Sequence, residues 1–186
     1  MARTTSDAGK LHIKQYENAK IINLSNDTFL ESYWDSNGYA IGYGTRFGDT
    51  GQPIQKDEIV RKSYVEQLFN RDISAAESGL NASVIVTLTQ GQFDALIDFI
   101  YQFGLTRFRS STLLKVVNST PNDYTAVATE FRKWVNVNGS PNTALQKRRE
   151  ANIVQYTGGG AVQSVTWIWV LIVAVMAVAF YAYRNK

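Results

Sequence analysis

Cysteine is absent from the 186-residue chain, so neither disulfide bonds nor thiolate metal sites can form. Histidine occurs once, at His12, which we interpret as a helix-surface residue, and we expect neither a metal nor an organic cofactor. A basic excess is also missing, because residues 1–183 carry 17 Lys and Arg against 16 Asp and Glu. Nucleic-acid binders cluster their basic residues on one face, so this balance argues against nucleic acid as a partner.

A tight hairpin is predicted at Asn37-Gly38, because both residues tolerate the positive φ of a type I′ turn. Asp35 would then lie at the turn, while Gly42 and Gly44 would leave the second strand bare enough for a bulky ligand. Glu17 lies upstream, near the expected end of the first helix. Two carboxylates beside an aromatic hairpin indicate a glycosidase site.

The rest of residues 1–156 predicts a mostly helical α+β domain. Apolar residues spaced by three and four predict a first helix to about residue 18 and a second from about 56 to 78. Thr89 and Gly104 bound the broadest apolar face, which we interpret as a central core helix. Three further helices are expected over about 110–118, 122–135 and 142–156.

The ordered series Ile13-Lys14-Gln15-Tyr16-Glu17, Tyr33-Trp34-Asp35-x-x-Gly38 and Ile41-Gly42-Tyr43-Gly44 resembles the phage-type lysozymes, glycoside hydrolase family 24. The likeness continues through residues 68–73, 92–104 and the run Arg148-Arg149-x-x-Asn152. It implies a lysozyme-like, two-lobed domain whose small lobe is a β-hairpin. It also implies a peptidoglycan hydrolase that cuts the β-1,4 bond between N-acetylmuramic acid and N-acetylglucosamine.

The resemblance implies roles for particular residues. Glu17 would be the general acid and Asp35 the water-activating or cation-stabilising carboxylate, about 6.5–9.5 Å apart if the enzyme inverts. One of the two adjacent arginines on the last helix would reach Glu17, orienting it but lowering its pKa. The second-shell candidates are Arg148 and Arg149, and the expected sugar contacts are Tyr43, Gln102 and Ser111.

One departure from the family leaves the chemistry open. The threonine that usually precedes I-G-Y-G is here Ala40, which cannot hold a water. Either Ser36 or Thr45 holds the water instead, or no residue does. The chain is then a hydrolase, a lytic transglycosylase that uses Glu17 alone, or a non-catalytic murein-binding or structural protein.

The C-terminal part predicts a membrane anchor. Residues 157–164 form a glycine-rich linker, and residues 165–183 carry no charge. A helix of that length spans about 28 Å, close to a hydrocarbon core of roughly 30 Å. With a basic tail at 184–186 and no signal peptide expected at the N-terminus, we expect a single-pass protein of a virion membrane or a host inner membrane. Its partners would be glycan strands, the lipid bilayer and other virion proteins, with a slight preference for a role at infection over lysis.

Overall fold

The computed structural model describes residues 2–158 of the chain. Within these residues it contains seven helices and three antiparallel two-stranded sheets. The helices are α1 (Asp7–Ile22), α2 (Lys62–Ser83), α3 (Gln90–Phe103), α4 (Leu105–Ser110), α5 (Thr112–Ser119), α6 (Tyr124–Arg132) and α7 (Thr143–Tyr156). The sheets pair β1 (Phe29–Glu31) with β4 (Ile59–Arg61), β2 (Tyr33–Trp34) with β3 (Tyr39–Ala40), and β5 (Asn136–Val137) with β6 (Ser140–Pro141).

Helix α3 is the centre of the helical lobe, which confirms the predicted core helix. It begins with a capping box, in which the Thr89 side chain accepts from the Gln92 backbone and the Gln92 side chain accepts from Thr89. Every residue from Gln92 to Ile100 is buried. Helices α1, α2, α4 and α7 pack around α3, so polar side chains on it lie inside the protein.

The small lobe differs in part from the prediction. Residues 59–61, expected within a helix, form a strand, because they pair with residues 29–31 across a long sequence separation. Helix α2 therefore begins only at Lys62. The Lys62 ammonium donates to the carbonyls of Ile22 (3.0 Å) and Leu24 (2.6 Å), which fixes the end of α1 against the start of α2.

The structure contradicts the membrane-spanning part of the predicted fold. None of the helices within residues 2–158 combines the length and the apolar composition that crossing a bilayer requires. The longest, α2, has 22 residues but includes Glu66, Arg71 and Asp72, which a hydrocarbon core disfavours. The expected span at 165–183 lies outside the described residues, as do the basic tail and most of the linker. The fold is thus corrected to a lysozyme-like α+β domain, and the predicted membrane location is withdrawn.

The contact between the small lobe and α2 gives a stability prediction. Gly42 has a φ of +62°, and a Cβ there would overlap Val65 of α2. Gly42→Ala should lower the free energy of unfolding by about 3 kcal/mol, from backbone strain plus the steric conflict. Gly51→Ala is the matched control, because its φ is +78° but nothing lies within 4 Å of the added Cβ. That control should cost about 1 kcal/mol in urea unfolding. Equal losses would contradict the proposed role of the Val65 contact.

Candidate active site

Glu17 occupies the cleft end of the regular part of α1. Ser6 caps this helix by accepting from the Gly9 amide, and Ile13 anchors it in the core. The backbone leaves helical geometry at Asn18 (φ −160°, ψ 83°), the residue after Glu17. Across the cleft, a Cβ on Gly44 would lie 3.4 Å from Glu17 Oε2. The bare backbone predicted at Gly44 therefore faces the carboxylate of Glu17, whereas Gly42 faces α2.

Asp35 lies in the loop that joins β2 to β3. The loop has four residues, with Ser36 at a φ of +46°, so the predicted two-residue turn at Asn37-Gly38 was wrong. The Asp35 amide donates to the Gly38 carbonyl at 2.9 Å. Arg46 Nη2 donates to both the Asp35 carbonyl (2.9 Å) and Asp35 Oδ2 (2.7 Å). The second acid is thus held by a nearby guanidinium at a partly exposed position.

A cavity of about 690 Å³ brings these two acids together. It runs between the hairpin lobe and the α2–α3 face of the helical lobe. Its lining residues are Glu17, Asp35, Tyr43, Gly44, Thr45, Arg46, Phe47, Asp72, Ala75, Ala76, Ile100, Tyr101, Gln102, Gly104 and Leu105. An open groove with two carboxylates on its walls has the form that glycoside hydrolysis requires.

Burial sets the protonation of Glu17. Loss of hydration raises the pKa of its carboxyl above the usual value, and the negative charges of Asp98 and Asp35 raise it further. Arg148 opposes these effects through its charge and its hydrogen bond. Because the raising effects prevail, Glu17 holds its proton more readily than an ordinary exposed glutamate, as a general acid requires.

A buried polar cluster supports Glu17 from behind. Arg148 Nη2 lies 2.8 Å from Glu17 Oε1 and 2.7 Å from Asp98 Oδ1. Asp98 also accepts from Arg149 at 3.3 Å and from Asn152 at 2.8 Å. Burial alone would raise the pKa of Asp98, but these cationic partners outweigh it and lower the pKa. Of the two expected arginines, Arg148 is the one that contacts Glu17.

The predicted sugar contacts lie in different environments. Gln102 lines the cavity, where its carbonyl accepts from Arg149 Nη2 at 2.7 Å. Tyr43 contributes to the lining, but its ring is buried and its hydroxyl donates to Glu66 at 3.0 Å. Ser111 is outside the cavity lining, since it caps α5 by accepting from the Leu114 amide. Of these three residues, Gln102 is the one whose polar side-chain group lies at the cavity without being buried or used in capping a helix.

The residue that replaces the family threonine and the two candidates for its role lie in different places. Ala40 is fully buried opposite Tyr33, and Ser36 lies in the hairpin loop. Thr45 lines the cavity and donates to Asp72 Oδ2 at 2.8 Å. Of Ser36 and Thr45, Thr45 is therefore the one that shares the cavity lining with the two acids.

Four functional candidates were missed from the sequence. Arg46, Phe47 and Tyr101 line the cavity, and Asp98 lies behind it. The sequence does carry a signal for Phe47, because this large apolar residue between Arg46 and Gly48 belongs to no helical or strand repeat of apolar positions. Asp98 also has one, as one of two acids, with Asp94, on a helix whose broad apolar face predicts burial.

A protein-family model described as phage lysozyme matches residues 27–152, which is more than half of the chain. The chain belongs to the phage lysozyme family. This phage lysozyme is 32% identical over 151 residues to the endolysin of Acyrthosiphon pisum secondary endosymbiont phage 1, covering 78% of this chain and 92% of that protein. It is 37% identical over 112 residues to the endolysin of Bacillus phage B103, covering 60% of this chain but only 40% of that protein.

Solved structures agree with this assignment. The endolysin from Escherichia coli O157:H7 phage FAHEc1 is 28% identical with a TM-score of 0.70, over 84% of this chain and 94% of that chain. The muramidase domain of SpmX from Asticaccaulis excentricus is 26% identical with a TM-score of 0.65, over 83% and 98%. The predicted family and enzyme class, a glycosidase of the muramidase type that acts on peptidoglycan, are confirmed. The expected bilayer and virion partners gain no support.

The raised pKa of Glu17 gives a stability prediction. An acid whose pKa is higher in the folded state stabilises the fold only below its unfolded pKa, about 4.3, and destabilises it once ionised. Glu17→Gln should therefore raise the midpoint of thermal unfolding near neutral pH, and this gain should vanish toward about pH 4. Asp98→Asn should have the opposite effect and lower this midpoint near neutral pH, because the lowered pKa of Asp98 means that its ionised form stabilises the fold. Thermal unfolding followed by circular dichroism checks both signs, and a loss for Glu17→Gln would contradict the first.

Proposed function

We propose that this phage lysozyme hydrolyses the β-1,4 bond between N-acetylmuramic acid and N-acetylglucosamine. The single observation that carries the proposal is the pairing of Glu17, buried and with a raised pKa, with Asp35 on the walls of one open cavity. Glu17 donates its proton to the leaving glycosidic oxygen. Asp35 activates the water or stabilises the positive charge that develops at the anomeric carbon.

The surroundings of each acid support this division of roles. A general acid must hold a proton in the ground state, which burial favours at Glu17. A base or cation-stabilising group must be reachable by water and by the sugar, and Asp35 is partly exposed, with its carboxylate held at 2.7 Å from the Arg46 guanidinium. One acid is thus buried against the helical core and the other is accessible beside an arginine, which suits them to different roles in catalysis.

The position of the substrate is supported by the lining of the cavity. Phe47 presents a half-exposed ring, and its backbone is fixed because Arg71 donates to the carbonyls of Phe47 (2.9 Å) and Gly48 (2.6 Å). Gln102 and Tyr101 add polar groups on the α3 wall. An apolar ring beside polar groups matches a pyranose, which has an apolar face and a rim of hydroxyls.

Two alternatives from the sequence remain outcomes of the tests. A lytic transglycosylase would use Glu17 alone, and Ala40 still favours it, because its side chain is buried and cannot bind water. A non-catalytic murein-binding protein would release no fragments. For the biological role, the relatives at 37% and 32% identity are named endolysins, which supports lysis over an action at infection.

The roles of the two acids can be tested on purified sacculi. Glu17→Gln should reduce the release of muropeptides by more than a hundredfold, because no other group donates the proton. Asp35→Asn should abolish products with reducing ends. Glu31→Gln, an acid on the same lobe outside the cavity lining, is the control and should retain full activity. Mass spectrometry of the fragments decides: anhydro ends would favour the transglycosylase, and no fragments from the unaltered protein would favour the binding protein.

The Phe47 ring gives a test of substrate position. Phe47→Ala should raise KM for glycan strands about tenfold with little change in kcat, because ring stacking on the sugar contributes to binding in the ground state. Phe47→Tyr should restore KM. Phe29→Ala removes a ring of similar exposure (59% against 52%) that lies outside the cavity lining and should leave KM unchanged. Steady-state kinetics on soluble glycan oligomers measure both constants, and an unchanged KM for Phe47→Ala would contradict this contact.

A further inference from the structure

A single guanidinium nitrogen of Arg148 is shared between two acids. Its Nη2 lies 2.8 Å from Glu17 and 2.7 Å from Asp98. Asp98 holds Arg148 more firmly, because Nε also donates to both Asp98 oxygens at 3.1 Å. Glu17 receives one contact from Arg148, whereas Asp98 receives three. The arginine is thus primarily the partner of Asp98.

Asp98 itself does not touch the cavity. Its side chain has no solvent exposure, and it is absent from the cavity lining. Its oxygens accept from Arg148, Arg149 and Asn152 of α7. A carboxylate with this many cationic and amide donors stays ionised throughout the pH range in which the enzyme would work. Asp98 therefore supplies a permanent negative charge close to Glu17.

The charges of this cluster determine what Glu17 can do. With Asp98 ionised, the two buried arginines are half neutralised before Glu17 contributes any charge. Without Asp98, both positive charges would act on Glu17 alone and would favour its ionised form. An ionised Glu17 cannot protonate a leaving oxygen.

We propose that Asp98 is a positioning residue that takes up the charge and the hydrogen bonds of Arg148, so that Glu17 keeps its proton at the pH of the reaction. This inference rests on the proposed function, in which Glu17 is the general acid. The charge of Asp98 acts in the same direction as burial on the pKa of Glu17, which is raised overall although Arg148 opposes it.

Other groups that face Glu17 do not replace Asp98. Asp35 adds a second negative charge, but it is partly exposed and neutralised by Arg46. The titratable and charged groups that act on Glu17 are Arg148 of α7, Asp98 and Tyr101 of α3, and Tyr33 and Asp35 of the hairpin. Arg149 of α7 and His12 of α1 act on Asp98 and Arg148 behind it. Burial lowers the pKa of His12, which keeps it neutral near neutral pH. Asp98 is then the buried negative charge that balances the arginines.

The pH dependence of kcat/KM tests the inference in the full-length protein. The alkaline limb of the profile reports loss of the Glu17 proton. Asp98→Asn keeps the shape of the side chain but removes its charge, so the limb should move to lower pH by about one unit. Asp94→Asn is the matched control on the same helix: Asp94 is also buried, but it bonds Ser6 and Gln90 instead of Arg148. Each profile is normalised to its own maximum, so a smaller folded fraction does not move the limb.

A second variant predicts a shift of the opposite sign. Arg149→Met removes one positive charge from Asp98 and leaves Arg148 more strongly bound to it. The alkaline limb should then move to higher pH, also by about one unit. Asp98→Glu, which keeps the charge, should leave the limb within a few tenths of a unit. If Asp98→Asn does not fold, the Arg149→Met profile decides, and a limb that stays in place or moves down would overturn the inference.

The outcome separates this inference from the proposed function. Activity that survives Glu17→Gln would remove the general acid and with it the proposed function. Activity lost in Glu17→Gln together with an unmoved limb in Asp98→Asn would leave the general acid in place and overturn only the role of Asp98.

Discussion

The buried guanidinium of Arg148 links three helices, one of which carries the reacting acid. It extends from α7, contacts Asp98 of α3 and reaches Glu17 of α1. A buried charge deprived of its partner costs about 3–5 kcal/mol, so these helices must pack together for any of the three groups to be satisfied. The position of Glu17 is therefore fixed by formation of the helical core. Its pKa is a property of the same packing, because burial and the neighbouring charges arise together.

Asp35 is held by a different kind of interaction. Its partner Arg46 is eleven residues away in sequence, and both side chains are partly exposed. Exposed ion pairs contribute at most about 1 kcal/mol to stability, so this pair orients the carboxylate more than it stabilises the fold. The hairpin lobe is instead packed on α2 through Gly42 against Val65, and α2 is in turn fixed to the end of α1 through Lys62. The cavity thus has one wall determined by the core and one determined by local contacts.

The sequence predicted what depends on local patterns. The three-and-four spacing around Phe93–Phe103 identified α3, and the ordered motifs identified Glu17 and Asp35 as cavity residues. It failed where distant segments decide the structure: residues 59–61 form a strand because residues 29–31 pair with them, and the role of Asp98 depends on arginines fifty residues later. The membrane span was predicted from the length of a charge-free run after a glycine-rich linker, and no helix within residues 2–158 could cross a bilayer. Side chains such as Tyr43 and Ser111 have suitable chemistry for sugar binding, but only packing shows that they are used elsewhere.

The charged cluster requires support, because two arginines are buried beside only one acid that stays ionised. Aromatic rings supply part of it. The Arg149 guanidinium lies 5.4 Å from the Phe99 ring and 5.0 Å from the Phe103 ring, and Phe99 packs in turn on Phe108, Phe131 and Trp134. Within residues 2–158, Nε and Nη1 of Arg149 have no hydrogen-bond acceptor, so the faces of these rings provide their electrostatic partner. The same aromatic residues that fill the core therefore allow a positive charge to remain next to Asp98. This arrangement keeps the acid network closed to water on one side while Glu17 meets the cavity on the other.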